Sequence, residues 1–158
     1  MIFKYRVAEQ QGRHTLPRMI FINLPVTDVA ASTKFYEMLG FQKNEKFSNA
    51  QASGMVWSEA IHVMLLDHAF YSTFTDKAIV DAKTTSGVLN CLSFENKAAV
   101  DAFHAAARDG GGNEVRPIED QGFMYGGAFE DPDGHTWETM WMDPKAAEMG
   151  PEDFAAQS

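Results

Sequence analysis

The chain has 158 residues and a formal net charge of −9, which suits one compact domain or two small modules that share a core. No run reaches the ~18 apolar residues of a membrane span, and the N-terminus lacks a signal-peptide apolar stretch, so we expect a cytoplasmic protein without a membrane partner. The acidic balance disfavours nucleic acid as a partner, and the single cysteine, Cys91, excludes an intrachain disulfide and a Cys-cluster metal site.

The first half of the chain predicts a β-α-β-β-β module over residues 19–66. Residues 1–18 form a polar leader, in which alternating Phe3, Tyr5 and Val7 allow a short edge strand. Apolar residues alternate over 20–26, which predicts a strand. Asp28 is a good N-cap for a helix that ends at Leu39 and Gly40. Strand-like runs follow at 41–47, 52–57 and 61–66.

Residues 67–86 are predicted to connect this module to the next one. The segment contains Phe70, Tyr71 and Phe74, and a helical turn is expected near residues 76–82. Aromatic residues in a connector can form a lid or a dimer contact, or they can pin the connector to the core. The interpretation that these aromatic residues pin the connector to the core is favoured.

The second half repeats the order of elements over residues 87–142. A strand is predicted at 89–94, Asn96 is an N-cap candidate, and a helix then ends at Gly110, Gly111 and Gly112. Strands follow at 114–118, 123–129 and 135–142, before a polar tail at 143–158. The repeat predicts an α+β fold in which two modules form one cupped eight-stranded sheet with the helices on its outer face.

One stretch of the last hairpin, residues 131–138, places a carboxylate among bulky apolar residues. Pro132, Asp133 and Gly134 suit a tight turn, and His135 is expected to face solvent after it. Glu138 follows in the middle of an alternating strand. Because an unpaired carboxylate is costly to bury, Glu138 must be at a wet rim, paired, or functional.

Two segments of the sequence resemble the vicinal oxygen chelate superfamily, which includes glyoxalase I, bleomycin-resistance proteins and extradiol dioxygenases. One is the strand and helix with Leu24–Pro25–Val26–Thr27–Asp28, Ser32, Phe35–Tyr36 and Leu39–Gly40–Phe41; the other is the hairpin at 131–138. Together they span residues 19–142 and look most like the glyoxalase/bleomycin-resistance-like subgroup. The resemblance implies a homodimer with a cup for a small molecule.

The resemblance also implies where a metal would bind. In the family's metalloenzymes each module's first strand begins with a ligand, seven residues before the helix cap, and those positions here are Phe21 and Leu89. A third ligand position falls at Val63 or Met64, so Glu138 alone remains. A catalytic metal needs about three protein ligands. We therefore expect no metal; the alternative is one divalent ion held by Glu138 and His62.

The residues expected to face the cup define the candidate site. The ligand-binding candidates are Phe21, Asn23, Trp57, Met64, Leu89, Cys91, Met124, Glu138 and Met140. Glu138 is also the catalytic candidate, as a general base. The simpler interpretation is that Glu138 accepts hydrogen bonds from Asn23 or from an arginine such as Arg116, and Cys91 is expected to act as a small apolar residue.

Three functions remain open at this point. The first is a glyoxalase/bleomycin-resistance-like protein that binds a small organic molecule in its cup without a metal. The alternative is a metal-dependent lyase, isomerase or dioxygenase with a site rebuilt around Glu138 and His62. The third is an interaction module whose cup is filled by its own side chains.

Overall fold

The computed structural model describes residues 17–157, so the predicted leader lies outside the described residues as far as residue 16. The chain divides into two compact units, Met1–Lys77 and Ala78–Ser158. The boundary falls inside the segment that the sequence predicts as a connector. No helix in the described part of the chain is long and apolar enough to span a membrane.

The first unit contains the predicted β-α-β-β-β module. Its elements are β1 (Ile20–Val26), α1 (Val29–Met38), β2 (Gln42–Asn44), β3 (Ala52–Val56), β4 (Ile61–Asp67) and α2 (His68–Tyr71), with a 3-10 turn at Glu45–Phe47. The strands form one sheet in the order β1-β4-β3-β2. β1 runs parallel to β4, and the other pairs are antiparallel.

Capping and alternation explain how this unit forms. The carboxylate of Asp28 accepts a hydrogen bond from the Ala31 backbone N–H at 2.9 Å, as the predicted N-cap requires. Gly40 has a φ of +99°, which favours glycine directly after the helix. Leu24, Val63 and Leu65 are buried on the same side of the sheet as α1, and this leaves the opposite side for Phe21 and its neighbours.

The second unit repeats the arrangement, so the α+β fold with two β-α-β-β-β modules is confirmed. Its elements are β5 (Leu89–Ser93), α3 (Lys97–Asp109), β6 (Asn113–Asp120), β7 (Met124–Glu130), β8 (Thr136–Met142), α4 (Pro144–Met149) and α5 (Pro151–Ala155). The strand order β5-β8-β7-β6 matches that of the first sheet. Asn96 caps α3 through the Ala99 N–H at 2.8 Å, as predicted.

The segment after β4 differs from the prediction. No helical turn forms at residues 76–82; the helical residues are those of α2, where the Asp67 carboxylate accepts from the Phe70 N–H at 2.6 Å. The Phe70 ring then packs against Phe74, with ring centroids 5.2 Å apart. A nearby capping carboxylate therefore outweighs the weak helical pattern farther along.

The expectation that His135 faces solvent is wrong. His135 is only 9% exposed. The backbone N–H of His135 donates to the Asp131 carboxylate at 2.9 Å, and the Asp131 N–H donates to the His135 carbonyl at 3.0 Å. This closed turn holds His135 against the protein instead of in water.

Candidate functional site

The side of the second sheet that faces away from α3 carries Glu138, and we call it the far face. Strand pairing places four residues in one row across this sheet. Cys91 of β5 is opposite Glu138 of β8, Glu138 is opposite Ala128 of β7, and Ala128 is opposite Arg116 of β6. Because residues opposite each other in neighbouring strands share a face, these four side chains belong together.

Arg116 reaches across this row to Glu138. Its Nη2 donates to Glu138 Oε1 at 2.7 Å, and the small side chain of Ala128 leaves room between them. The arginine side chain is 52% exposed and that of the glutamate 23%. The interpretation that Glu138 is paired with an arginine such as Arg116 is thus confirmed, and its charge is compensated without being fully buried.

Two irregularities of strand pairing direct Arg116 to this face. The register of β6 against β7 shifts between Glu114 and Arg116, and again between Arg116 and Glu119. Strict alternation would put Glu114 and Arg116 on the same side of β6. The first shift instead leaves Glu114 near α3, with its carboxylate 3.7 Å from His104 Nδ1, while Arg116 contacts Glu138. Bulges commonly redirect side chains in this way.

Apolar and weakly polar side chains surround the ion pair on the far face. Leu89 is 54% exposed, and Met124 and Met140 share the parity of Glu138 and are partly exposed. Cys91 is exposed, yet partial burial of its thiol, together with the nearby Glu138 carboxylate, raises its pKa. The thiol is therefore less readily ionised than a free cysteine, which makes it a poor nucleophile.

The first sheet carries the other candidates on its side away from α1. The Phe21 ring stacks on the His62 imidazole with centroids 4.8 Å apart and planes at 20°. Asn23 is opposite Met64 in the same ladder, and both share the parity of Phe21 and His62. Phe21 is 51% exposed and His62 only 6%, so the aromatic ring is the accessible member of the stack.

Trp57 does not lie with these residues. Its ring packs against Phe41, with centroids 5.0 Å apart, and Phe41 in turn packs against Tyr36 of α1. Trp57 follows the last residue of β3 and faces the helix-bearing side of the sheet. We therefore leave Trp57 out of the candidate site.

The donor set does not fit the metal ion that the resemblance implies. Among the described residues, no group of three or more His, Cys, Asp or Glu side chains is placed to hold a metal. Glu138 is engaged by a guanidinium at 2.7 Å, and the imidazole of His62 is covered by Phe21. One paired carboxylate offers a divalent ion little coordination.

A second polar cluster lies on the α3 side of the second sheet. His104 Nε2 is 2.7 Å from Thr139 Oγ1, and the Gly127 N–H donates to the same oxygen at 3.2 Å. Burial is the largest cause that lowers the pKa of His104. The sequence alone suggested no role for His104; because both side chains are buried, we assign this cluster to the packing of α3.

Comparisons with known proteins agree with this architecture. The family model described as Glyoxalase/Bleomycin resistance protein/Dioxygenase superfamily matches residues 18–139. Hypothetical protein SA1046 from S. aureus is 22% identical, with a TM-score of 0.68 over 80% of this chain and 95% of its own. A glyoxalase/bleomycin resistance protein/dioxygenase family enzyme from Burkholderia phytofirmans PsJN is 17% identical, with a TM-score of 0.65 over 80% of this chain and 100% of its own.

Protein ATC0852 from Agrobacterium tumefaciens is 27% identical, with a TM-score of 0.61 over 78% of this chain and 95% of its own. No curated protein matches the chain. The family model covers most of the sequence, from the start of the first module to the hairpin with Glu138. The chain therefore belongs to the Glyoxalase/Bleomycin resistance protein/Dioxygenase superfamily.

Proposed function

We propose that this superfamily member binds a small organic molecule on the far face of its second sheet, without a divalent metal ion. The observation that carries the proposal is the Arg116–Glu138 pair, set among Leu89, Met124 and Met140. Apolar surface supplies affinity, and a few placed polar groups orient a ligand. Methionine side chains are flexible and polarizable, so they adapt to ligands of different shape.

The far face is a better candidate for binding than for catalysis. A general base needs a lone pair directed at the substrate, and one of the two carboxylate oxygens of Glu138 is already held by a guanidinium at 2.7 Å. The metal-dependent lyase, isomerase or dioxygenase would need ligands from Glu138 and His62, and both side chains are engaged by neighbours. The ligand contacts expected from the sequence at Phe21, Asn23 and Met64 of the first sheet stay predictions, separate from the far face.

A thermal unfolding screen with small aromatic and aliphatic compounds tests the proposal. A compound at a hundredfold excess over its Kd adds about 2.7 kcal/mol to the stability of the folded state, which raises Tm by roughly 5–10 °C. Replacing Leu89 by Ser should remove apolar contact and weaken binding of a compound found in this way. Val88→Ser is the matched control. Val88 is the neighbour of Leu89 and is similarly exposed, but it lies just before β5.

Elemental analysis of protein purified without chelator separates this proposal from a metalloenzyme. We expect substoichiometric divalent metal and no dependence of binding on added metal. A stoichiometric ion that is lost in Glu138→Gln would contradict the proposal. So would a turnover that falls by ~10²–10⁴-fold in Glu138→Gln while binding persists, since that pattern identifies a general base.

A further inference from the structure

We propose that the ligand of the far face carries a carboxylate, or another planar oxyanion, that binds the guanidinium of Arg116. This inference rests on the proposed function and specifies the chemical class of its ligand. The guanidinium has five N–H donors in a planar fork that matches a carboxylate. Its contact with Glu138 Oε1 is made through Nη2, and among residues 17–157 no other side chain forms a hydrogen bond or ion pair with the Arg116 guanidinium.

Exposure decides which member of the pair a ligand meets. The Arg116 side chain is 52% exposed, whereas Glu138 is 23% exposed and lies between the β5 and β7 strands. An incoming anion therefore contacts the guanidinium at hydrogen-bond distance and stays farther from the carboxylate. Because Coulomb energy falls with distance, attraction to Arg116 outweighs repulsion by Glu138.

Glu138 contributes by positioning Arg116. Free arginine side chains sample many rotamers, and a ligand that orders one loses affinity. The 2.7 Å contact with Glu138, together with the register shifts on either side of Arg116, holds the guanidinium across the sheet before a ligand arrives. The neighbouring row of the same face contains a second carboxylate, that of Glu130. Its Oε2 accepts a hydrogen bond from the Asn113 side-chain amide at 3.3 Å.

The surroundings define the rest of the ligand. Leu89 and Met140 flank the ion pair on the same face and offer apolar contact. The chain's net charge of −9 repels anions at long range, so a bare anion gains too little from Arg116 alone. An aromatic or alkyl carboxylate satisfies both parts of the surface, because its body is apolar and its head is a planar anion.

Calorimetric titration with phenylacetate and its neutral counterpart, phenylethanol, tests the inference. We expect the wild-type protein to bind the carboxylate about tenfold more tightly than the alcohol, as charge-assisted hydrogen bonds allow. Arg116→Met should abolish this preference, and Arg116→Lys should retain only part of it, because lysine lacks the fork. Circular dichroism checks that each variant is folded.

Arg108→Met is the matched control. Arg108 is 64% exposed and also lies near a glutamate, with its Nη1 3.8 Å from Glu114, but it belongs to α3. Its replacement should leave the carboxylate preference unchanged. Equal binding of both probes, unaffected by Arg116→Met, would overturn the inference and leave the proposed function standing. If neither probe binds but neutral compounds do, the inference also fails alone; if no organic compound binds at all, both proposals fail.

Discussion

Glu138 illustrates how a single residue can be satisfied structurally and still point to function. A half-exposed ion pair adds only about 0–1 kcal/mol to stability, because solvent screens the charges. The Arg116–Glu138 pair, 52% and 23% exposed, falls in this class. Its contribution to folding is therefore small, which leaves the pair available for the ligand recognition proposed above.

A second prediction at the residue scale concerns His104. We expect this buried histidine to make the protein less stable as the pH falls. Burial lowers the pKa of its imidazole, and Arg108 acts in the same direction, against the carboxylates of Glu114 and Asp101. The unfolded chain then binds a proton more readily than the folded one. The contribution of His104 is complete above the ordinary histidine pKa of about 6.5 and is lost as pH falls through the lower folded value.

Urea unfolding at about pH 7.5 and about pH 5.5 measures this effect, since the two values bracket the histidine range. His104→Gln should reduce the difference in unfolding free energy between the two pH values. His68→Gln serves as the control, because His68 is exposed at the start of α2. An unchanged pH dependence in His104→Gln would show that other groups are responsible.

Among the elements, β7 and β8 approach each other closely at Gly126. A Cβ atom on Gly126 would stand 1.9 Å from the Thr139 carbonyl oxygen and 2.9 Å from its carbonyl carbon. At the next residue, the Gly127 N–H donates to the Thr139 hydroxyl at 3.2 Å. Gly126 therefore lets β8 lie against β7 at this point.

Gly126→Ala should destabilise the protein by about 1–3 kcal/mol or more, because a backbone atom cannot move aside as a flexible side chain can. Gly87→Ala is the matched control. A Cβ at Gly87 has no heavy atom within 4 Å, and its φ is not positive, so a small gain of about 0.4–1 kcal/mol is expected. Denaturant midpoints of both variants check the prediction; equal midpoints would contradict it.

At the scale of the whole molecule, the same topology forms twice from different sequences. Both sheets pair their first and last strands in parallel, and in each sheet the first two strands in chain order lie at the edges. The resemblance predicts that two copies of the chain form a homodimer, and this remains a prediction. Apolar side chains such as Ile20, Phe47 and Phe74 are more than half exposed, which is compatible with a partner.

Light scattering during size-exclusion chromatography tests the oligomeric state. We expect a mass of twice the 17.6 kDa chain, persisting on dilution, since biological interfaces resist dilution more than incidental contacts do. Phe47→Asp and Phe74→Asp are separate probes of which exposed aromatic residue lies at the interface. A monomer at every concentration would refute the prediction and leave the far-face proposals untouched.

The sequence by itself determined the strands and the two long helices of the modules, their order and the caps of α1 and α3, but not the short helices α2, α4 and α5. Alternation, helical spacing and capping residues such as Asp28 and Asn96 act over a few positions, so they can be identified without knowing the fold. The carboxylate of Glu138 could be singled out for the same reason, because an acid in an apolar strand needs a partner wherever the strand lies.

Only the tertiary structure decided which partner that is. The face on which Arg116 lies depends on register shifts against β7, and a shift of one residue reverses the side of every following residue. The packing of Trp57 against Phe41 and the burial of His135 likewise depend on contacts outside their own strands. Such contacts join residues that are far apart in the sequence, so no short sequence pattern predicts them as it predicts strands and helix caps.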